Sequence, residues 1–179
     1  MASFITLPGI GGSGETHWQS YWEAYDPSFT RFQPTDWERP NLVDWRQAME
    51  AAIDASKEPP VLVAHSLACL LVVHAAQQIA GRVRGAVLVA VPDPSSPAFP
   101  AEATGFGNLP RYSLPFSTLI IASSNDPYAA PEYVRALSRE WGAGFVDVGA
   151  CGYINGTSNL GTWDQGRMLL DAFCAGIRA

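Results

Sequence analysis

The run Val61–Cys69, Val-Leu-Val-Ala-His-Ser-Leu-Ala-Cys, restricts the possible folds more than any other stretch of the chain. Small and β-branched apolar residues lead directly into His65-Ser66, and an apolar segment from Leu67 to Ala80 follows without a spacer. This pattern predicts a buried strand, an abrupt turn and a helix, with Ser66 on the turn. A turn of that kind lifts one hydroxyl out of the end of a sheet, where a serine nucleophile is presented. Strand and helix backbones nearly touch beside the serine, so the positions two before and two after it must be small. Glycine is usual there, and this chain has Ala64 and Ala68. A serine in a strand-to-helix turn is more often a plain helix N-cap, so the segment alone leaves both readings open.

The flanking sequence repeats the strand–helix alternation. Ser3–Leu7 reads as a buried strand stopped by Pro8-Gly9, and Gly9–Gly14 is a loop with four glycines in six residues. Thr16–Tyr25 has Trp18, Tyr21, Trp22 and Tyr25 at helical spacing, which predicts one apolar helix face. Phe29–Gln33 reads as a second strand, and Asn41–Ser56 as an amphipathic helix with Leu42, Trp45, Met49 and Ile53 inward. Further strands are expected at Gly85–Val91, Thr118–Ala122 and Phe145–Val148, and further helices at Pro131–Trp141 and Trp163–Ile177. Continuously apolar strands that alternate with helices predict a mostly parallel sheet of about six strands, covered by helices on both faces. With 179 residues and no linker or repeat, one domain over 1–179 is expected. Pro92–Pro115 is the irregular part, with six prolines and with Phe99, Phe106 and Tyr112. It reads as a cap over a pocket or as a surface loop with pinned aromatics.

Composition excludes several function classes. The net charge is −6 and no basic run is present, so a nucleic-acid partner is not expected. The glycine loop lacks both the G-x-G-x-x-G spacing and a Gly-Lys-Ser/Thr, so it does not read as a nucleotide site. Its backbone N–H groups suit an oxyanion instead. Lys57 is the only lysine, which removes lysine as a candidate base. Cys69, Cys151 and Cys174 are odd in number and widely spaced, unlike a disulfide framework or zinc site, and a reducing cytoplasm is the simpler setting. The N-terminal Met1–Pro8 stretch has no signal-peptide pattern, and no apolar run is long enough for a membrane span. No cofactor is implied.

Functional residues of an open parallel sheet gather at the carboxyl ends of its strands. Ser66, the Asn125-Asp126 turn and the Gly149–Asn159 loop then stand in the order nucleophile, acid, base of the α/β-hydrolases. Asp126 also fits an Asx turn before Pro127. No histidine follows Asp126. His65 adjoins the serine and leaves the turn in another direction. His74 lies eight helical positions on, about 12 Å along the axis, and reads as a packed helix residue. His17 follows the glycine loop, near the expected mouth of the site or as a structural residue at the first helix.

Four blocks together resemble a known family: Leu7-Pro-Gly-Ile-Gly-Gly-Ser-Gly-Glu-Thr-His-Trp18, Val63–Cys69, Ser123-Ser-Asn-Asp-Pro-Tyr128 and Gly149-Ala-Cys-Gly-Tyr-Ile-Asn155. Their order and spacing are similar to the small serine hydrolases named for retinoblastoma-binding protein 9, together with the bacterial YdeN-like proteins. The resemblance implies a compact α/β-hydrolase fold with Ser66 as nucleophile and Asp126 as acid. It also implies an oxyanion hole from Gly9, Ile10, Gly11 and the N–H of Leu67. In the last block the family carries Gly-His-Ile-Asn, so Tyr153 stands where the general base is expected. The family's Leu-x-Cys-x-Glu motif is not met either, since Leu67-Ala-Cys-Leu-Leu71 lacks the Glu, and retinoblastoma-type binding is not carried over.

The chain is therefore expected to be an esterase-like serine hydrolase of small acyl substrates. His17, Phe99, Phe106 and Trp163 are candidate pocket residues, and Trp163 alternatively packs the start of the last helix. A phenol with a pKa of about 10 is a poor base at neutral pH. Tyr153 thus implies a natural loss of the base, a replacement base such as His17, or an introduced substitution. A non-catalytic binding protein on the same fold is the competing reading, and an acyl-transfer or haloalkane-type enzyme is a third.

Overall fold

In the computed structural model, which describes residues 3–177, every strand joins one six-stranded parallel sheet. The first two residues of the N-terminal stretch considered above lie outside the described part. The strands are β1 (Phe4–Leu7), β2 (Phe29–Arg31), β3 (Val61–His65), β4 (Gly85–Val89), β5 (Ser117–Ala122) and β6 (Gly144–Asp147), in the order β2-β1-β3-β4-β5-β6. All five pairings are parallel, as strand–helix–strand crossovers require.

Side-chain alternation divides each central strand between two apolar cores. Ile5, Leu7, Leu62, Ala64, Ala86 and Leu88 face one layer, formed by α2 (Leu42–Ala55), α3 (Leu67–Ile79) and α4 (Pro131–Trp141). Phe4, Val61, Val63, Val87 and Val89 face the other, formed by α1 (Trp18–Tyr25) and α5 (Asp164–Gly176). Because both faces are covered, the strands could not show the apolar–polar alternation of a half-exposed sheet. Helix α3 is apolar nearly all round because it lies under the other helices of its layer, with ten of its residues buried. Among the described residues no helix is long and apolar enough to cross a membrane.

Three sequence expectations change. Tyr25 is 75% exposed rather than inward, and stacks on Tyr21 in solvent. The buried face of α1 is Trp18, Gln19 and Trp22, because the Gln19 amide donates to the Val63 carbonyl at 3.0 Å and takes an inward position. The fourth strand ends at Val89, and Ala90 turns with φ 54°. The Pro92–Pro115 segment contains a 3₁₀ helix, Ala101–Phe106, which inserts Phe106 into the core against Trp45.

Candidate active site

At the end of β3 the chain reverses at Ser66, with φ 58° and ψ −128°. This conformation is costly for a non-glycine residue and signals a functional turn. The Ser66 side chain makes no capping bond to α3, so it is not a helix N-cap in the hydrogen-bonding sense. Its N–H donates to the Val89 carbonyl at 3.0 Å, fastening the turn to β4. Ala64 and Ala68 are both fully buried at the strand–helix crossing. Gly9 lies so close that a Cβ there would stand 2.8 Å from the Ser66 Cβ and 3.1 Å from Oγ. Only glycine lets the first loop approach the hydroxyl this closely.

The expected oxyanion-hole residues separate into two groups. The Gly11 N–H donates to the Trp37 carbonyl at 3.1 Å and is spent, which removes Gly11 as an oxyanion donor. The N–H groups of Ile10 and Leu67 have no protein acceptor among the described residues, and both residues line the cavity at Ser66. Gly9 supplies the close approach, and its carbonyl accepts from Gly12 at 3.1 Å. Two residues outside the sequence reading hold this loop. Arg31 donates to the carbonyls of Gly12 and Ser13 while paired with Glu23, and Gln19 accepts from the Ser13 hydroxyl at 2.7 Å.

Asp126 follows β5 on an Asx turn, with Oδ1 accepting the Tyr128 N–H at 2.8 Å. Burial raises its pKa from 3.8 to about 6, against the pull of the Tyr128 and Ala129 N–H groups. Among the described residues no cation is paired with it to hold the carboxylate charged.

Tyr153 reaches the nucleophile. Its hydroxyl and the Ser66 Oγ share a hydrogen bond, and its ring packs on Tyr128 and His65 with centroids 4.3 and 5.1 Å away. Burial pushes the phenol far above its ordinary pKa, and the negative charge of Asp126 adds to the rise. At neutral pH this phenol holds its proton and takes none from Ser66.

Neither nearby histidine replaces the base. His65 Nε2 lies 2.9 Å from the Tyr153 carbonyl, which only accepts, so Nε2 carries a proton and donates. Burial lowers the His65 pKa to about 4 despite that bond. His17 caps α1 with Nδ1, which accepts the Gln19 N–H at 3.2 Å, so its remaining proton is on Nε2. Burial, with smaller contributions from His65 and Arg31, lowers the His17 pKa to about 2. The replacement-base reading of His17 therefore fails: it is a locked, neutral structural residue at the cavity wall. His74 is engaged elsewhere, bonded through Nε2 to the Phe106 carbonyl at 2.9 Å. Cys69 is buried beneath the site, where burial holds its thiol protonated.

Ser66 opens into a cavity of about 870 Å³ lined by Ile10, His17, Glu38, Phe99, Glu102 and Tyr128, among others. His17 and Phe99 thus stand at the expected pocket. Phe106 does not; it is fully buried against Trp45, because the 3₁₀ helix turns it away from the cavity. Trp163 is also elsewhere, 3% exposed and packed on Trp18 and Trp22 in the α1–α5 core. This is the packing role that was its alternative.

The parallel sheet, the strained serine turn and the adjoining glycine loop define an α/β-hydrolase. A family model described as "Serine hydrolase" matches residues 4–172, and the chain belongs to that family. Among solved structures, a YdeN-like hydrolase from Pectobacterium atrosepticum is 28% identical, with a TM-score of 0.88 over 99% of this chain and 92% of that one. The ydeN gene product of B. subtilis is 16% identical, with a TM-score of 0.77 over 98% of this chain and 100% of that one. A thermophilic esterase from Thermogutta terrifontis shares the fold at 12% identity, with a TM-score of 0.74 over 100% of this chain and 91% of that one. No curated protein matches the chain.

Proposed function

We propose that the protein is a hydrolase of small acyl esters in which proton removal from the nucleophile is the weak step. Ser66 Oγ attacks the ester carbonyl carbon while its proton passes through solvent water to the departing alcohol oxygen, and the N–H groups of Ile10 and Leu67 hold the resulting oxyanion. The tetrahedral species expels the alcohol, and water then attacks the acyl-serine to release the acid and regenerate Ser66. Asp126 stands where an acid would orient the base. Tyr153 occupies the base position and cannot accept the Ser66 proton, so turnover rests on oxyanion stabilisation and binding alone. The observation that carries this reading is the hydrogen bond between the Tyr153 hydroxyl and Ser66 Oγ.

The test is Tyr153→His assayed beside the parent on p-nitrophenyl acetate. General-base catalysis contributes roughly 10²–10⁴-fold, and a gain of that size is expected, abolished by a further Ser66→Ala. A folded Tyr153→His protein with no gain would sink the triad assignment. The same hydrogen bond favours a second reading, a binding protein whose Tyr153 occupies the nucleophile. Fluorophosphonate labelling of the parent separates the two: labelling lost in Ser66→Ala supports a hydrolase, and no labelling supports the binding protein.

A further inference from the structure

The segment that carries residue 153 is held by side chains at four consecutive residues. The Cys151 N–H donates to Ser123 Oγ at 3.0 Å, and the Gly152 N–H to Asn125 Oδ1 at 2.7 Å. The Tyr153 carbonyl accepts from His65 Nε2 at 2.9 Å, and the Ile154 carbonyl accepts from Trp18 Nε1 at 2.8 Å. The donors and acceptors come from β3, α1 and the turn after β5, so three separate parts of the fold converge on one short loop. Gly152 and Ile154 both have positive φ, 59° and 49°; glycine takes this conformation freely, but β-branched Ile154 does not, so the peptide after residue 153 is in a conformation that local preference alone does not keep.

From this arrangement we infer that His65 is a positioning residue: its Nε2–H fixes the carbonyl of residue 153 and so aims that residue's side chain at the Ser66 hydroxyl. His65 immediately precedes the nucleophile. A single rigid strand end therefore sets both partners, Ser66 through the chain and residue 153 through the hydrogen bond. The ring is 4% exposed and lies edge-on to His17 at 4.7 Å, which leaves little room for it to swing. It is neutral at working pH, so it acts as a fixed donor and not as an acid or base.

Two substitutions separate the bond from the bulk. His65→Leu removes the donor and keeps an apolar side chain, whereas His65→Gln keeps an N–H at a similar reach. In the otherwise unaltered chain, Tyr153 is observed by NMR of tyrosine labelled with ¹³C at Cζ, its resonance being identified by loss in Tyr153→Phe. The resonance should move in His65→Leu and stay near the parent position in His65→Gln. In the Tyr153→His background, where the readout rests on the hydrolase reading, His65→Leu should lower kcat about 10–100-fold with KM within about twofold. A displacement near 1 Å has costs of that order. His65→Gln should recover most of the loss. If His65→Leu does not fold, His65→Met carries the same comparison. The inference is overturned if the apolar variant leaves both readouts unmoved, or if Gln and the apolar residue perturb them equally. If Tyr153→His gains no activity, the hydrolase reading fails, while the NMR comparison still decides the role of His65.

Discussion

Asp126→Asn should stabilise the protein above neutrality and leave it unchanged in acid. The native carboxyl binds its proton more tightly than the unfolded one, with a pKa of about 6 against 3.8. Its contribution to stability is therefore fully present below about pH 3.8 and is lost as the pH rises through about 6. That gap is worth at most about 3 kcal/mol, at about 1.36 kcal/mol per tenfold change in proton affinity. The carboxyl is partly exposed, so solvent screening reduces the figure to about 1–2 kcal/mol. Asparagine keeps an oxygen to accept the Tyr128 N–H and has no charge to bury. Urea unfolding of parent and variant at about pH 3 and pH 7.5 measures the difference. The two midpoints should coincide in acid. At pH 7.5 the variant's midpoint should be higher by about 0.5–1 M, taking a slope near 2 kcal/mol/M. A variant less stable than the parent at pH 7.5 would refute the reasoning, because it would mean that a partner holds the carboxylate charged. In the Tyr153→His background the same substitution should cost activity, up to about 10⁴-fold, since an imidazole at 153 needs the carboxylate to orient it.

Two further substitutions test the fold and the cavity. In Gly166→Ala the new Cβ would fall 2.2 Å from the buried Trp163 ring, so the indole must move; a loss of about 1–3 kcal/mol by denaturant unfolding is expected, beyond any gain in helix propensity, and an unchanged midpoint would contradict the packing. The described cavity lining carries Glu38 and Glu102 and neither lysine nor arginine. Esters with a free carboxylate should therefore be hydrolysed several-fold more slowly than neutral esters of equal size. That difference should narrow in Glu38→Gln and at high salt, and a preference for the anionic ester would count against the cavity as the substrate site.

Much of the fold could be read from local pattern. A continuous apolar strand running into Ser66 and a largely apolar helix leave little choice but a buried parallel sheet, and Ser66, Asp126 and residue 153 follow one another along it in the chain. The supports of the site left no such trace. Gln19 reaches the Val63 carbonyl 44 positions on, and Trp18 reaches Ile154 across 136 positions. Arg31 ties the glycine loop from an edge strand, and Trp37 removes the Gly11 N–H from the oxyanion hole. These bonds join a side chain to a distant backbone group, so neither periodicity nor spacing reports them. The aromatic residues failed for a related reason. Phe106 and Trp163 are as apolar as Phe99, and only the turn that each occupies decides whether its ring enters the core or the cavity.

Residue 153 shows why position could be inferred where reactivity could not. Its place is set by backbone groups: the Gly152 N–H, the carbonyls of 153 and 154, and two left-handed residues. None of these depends on the identity of the side chain at 153. Proton transfer depends wholly on that identity, because the same burial that a base must tolerate raises a phenol's pKa and lowers an imidazole's. An imidazole there would still have Asp126 beside it to hold its charged form. A phenol has one oxygen, already committed to Ser66, and among the described residues it makes no hydrogen bond to the acid. The hydrolase scaffold and the proton acceptor are thus separable, and a single side chain divides them.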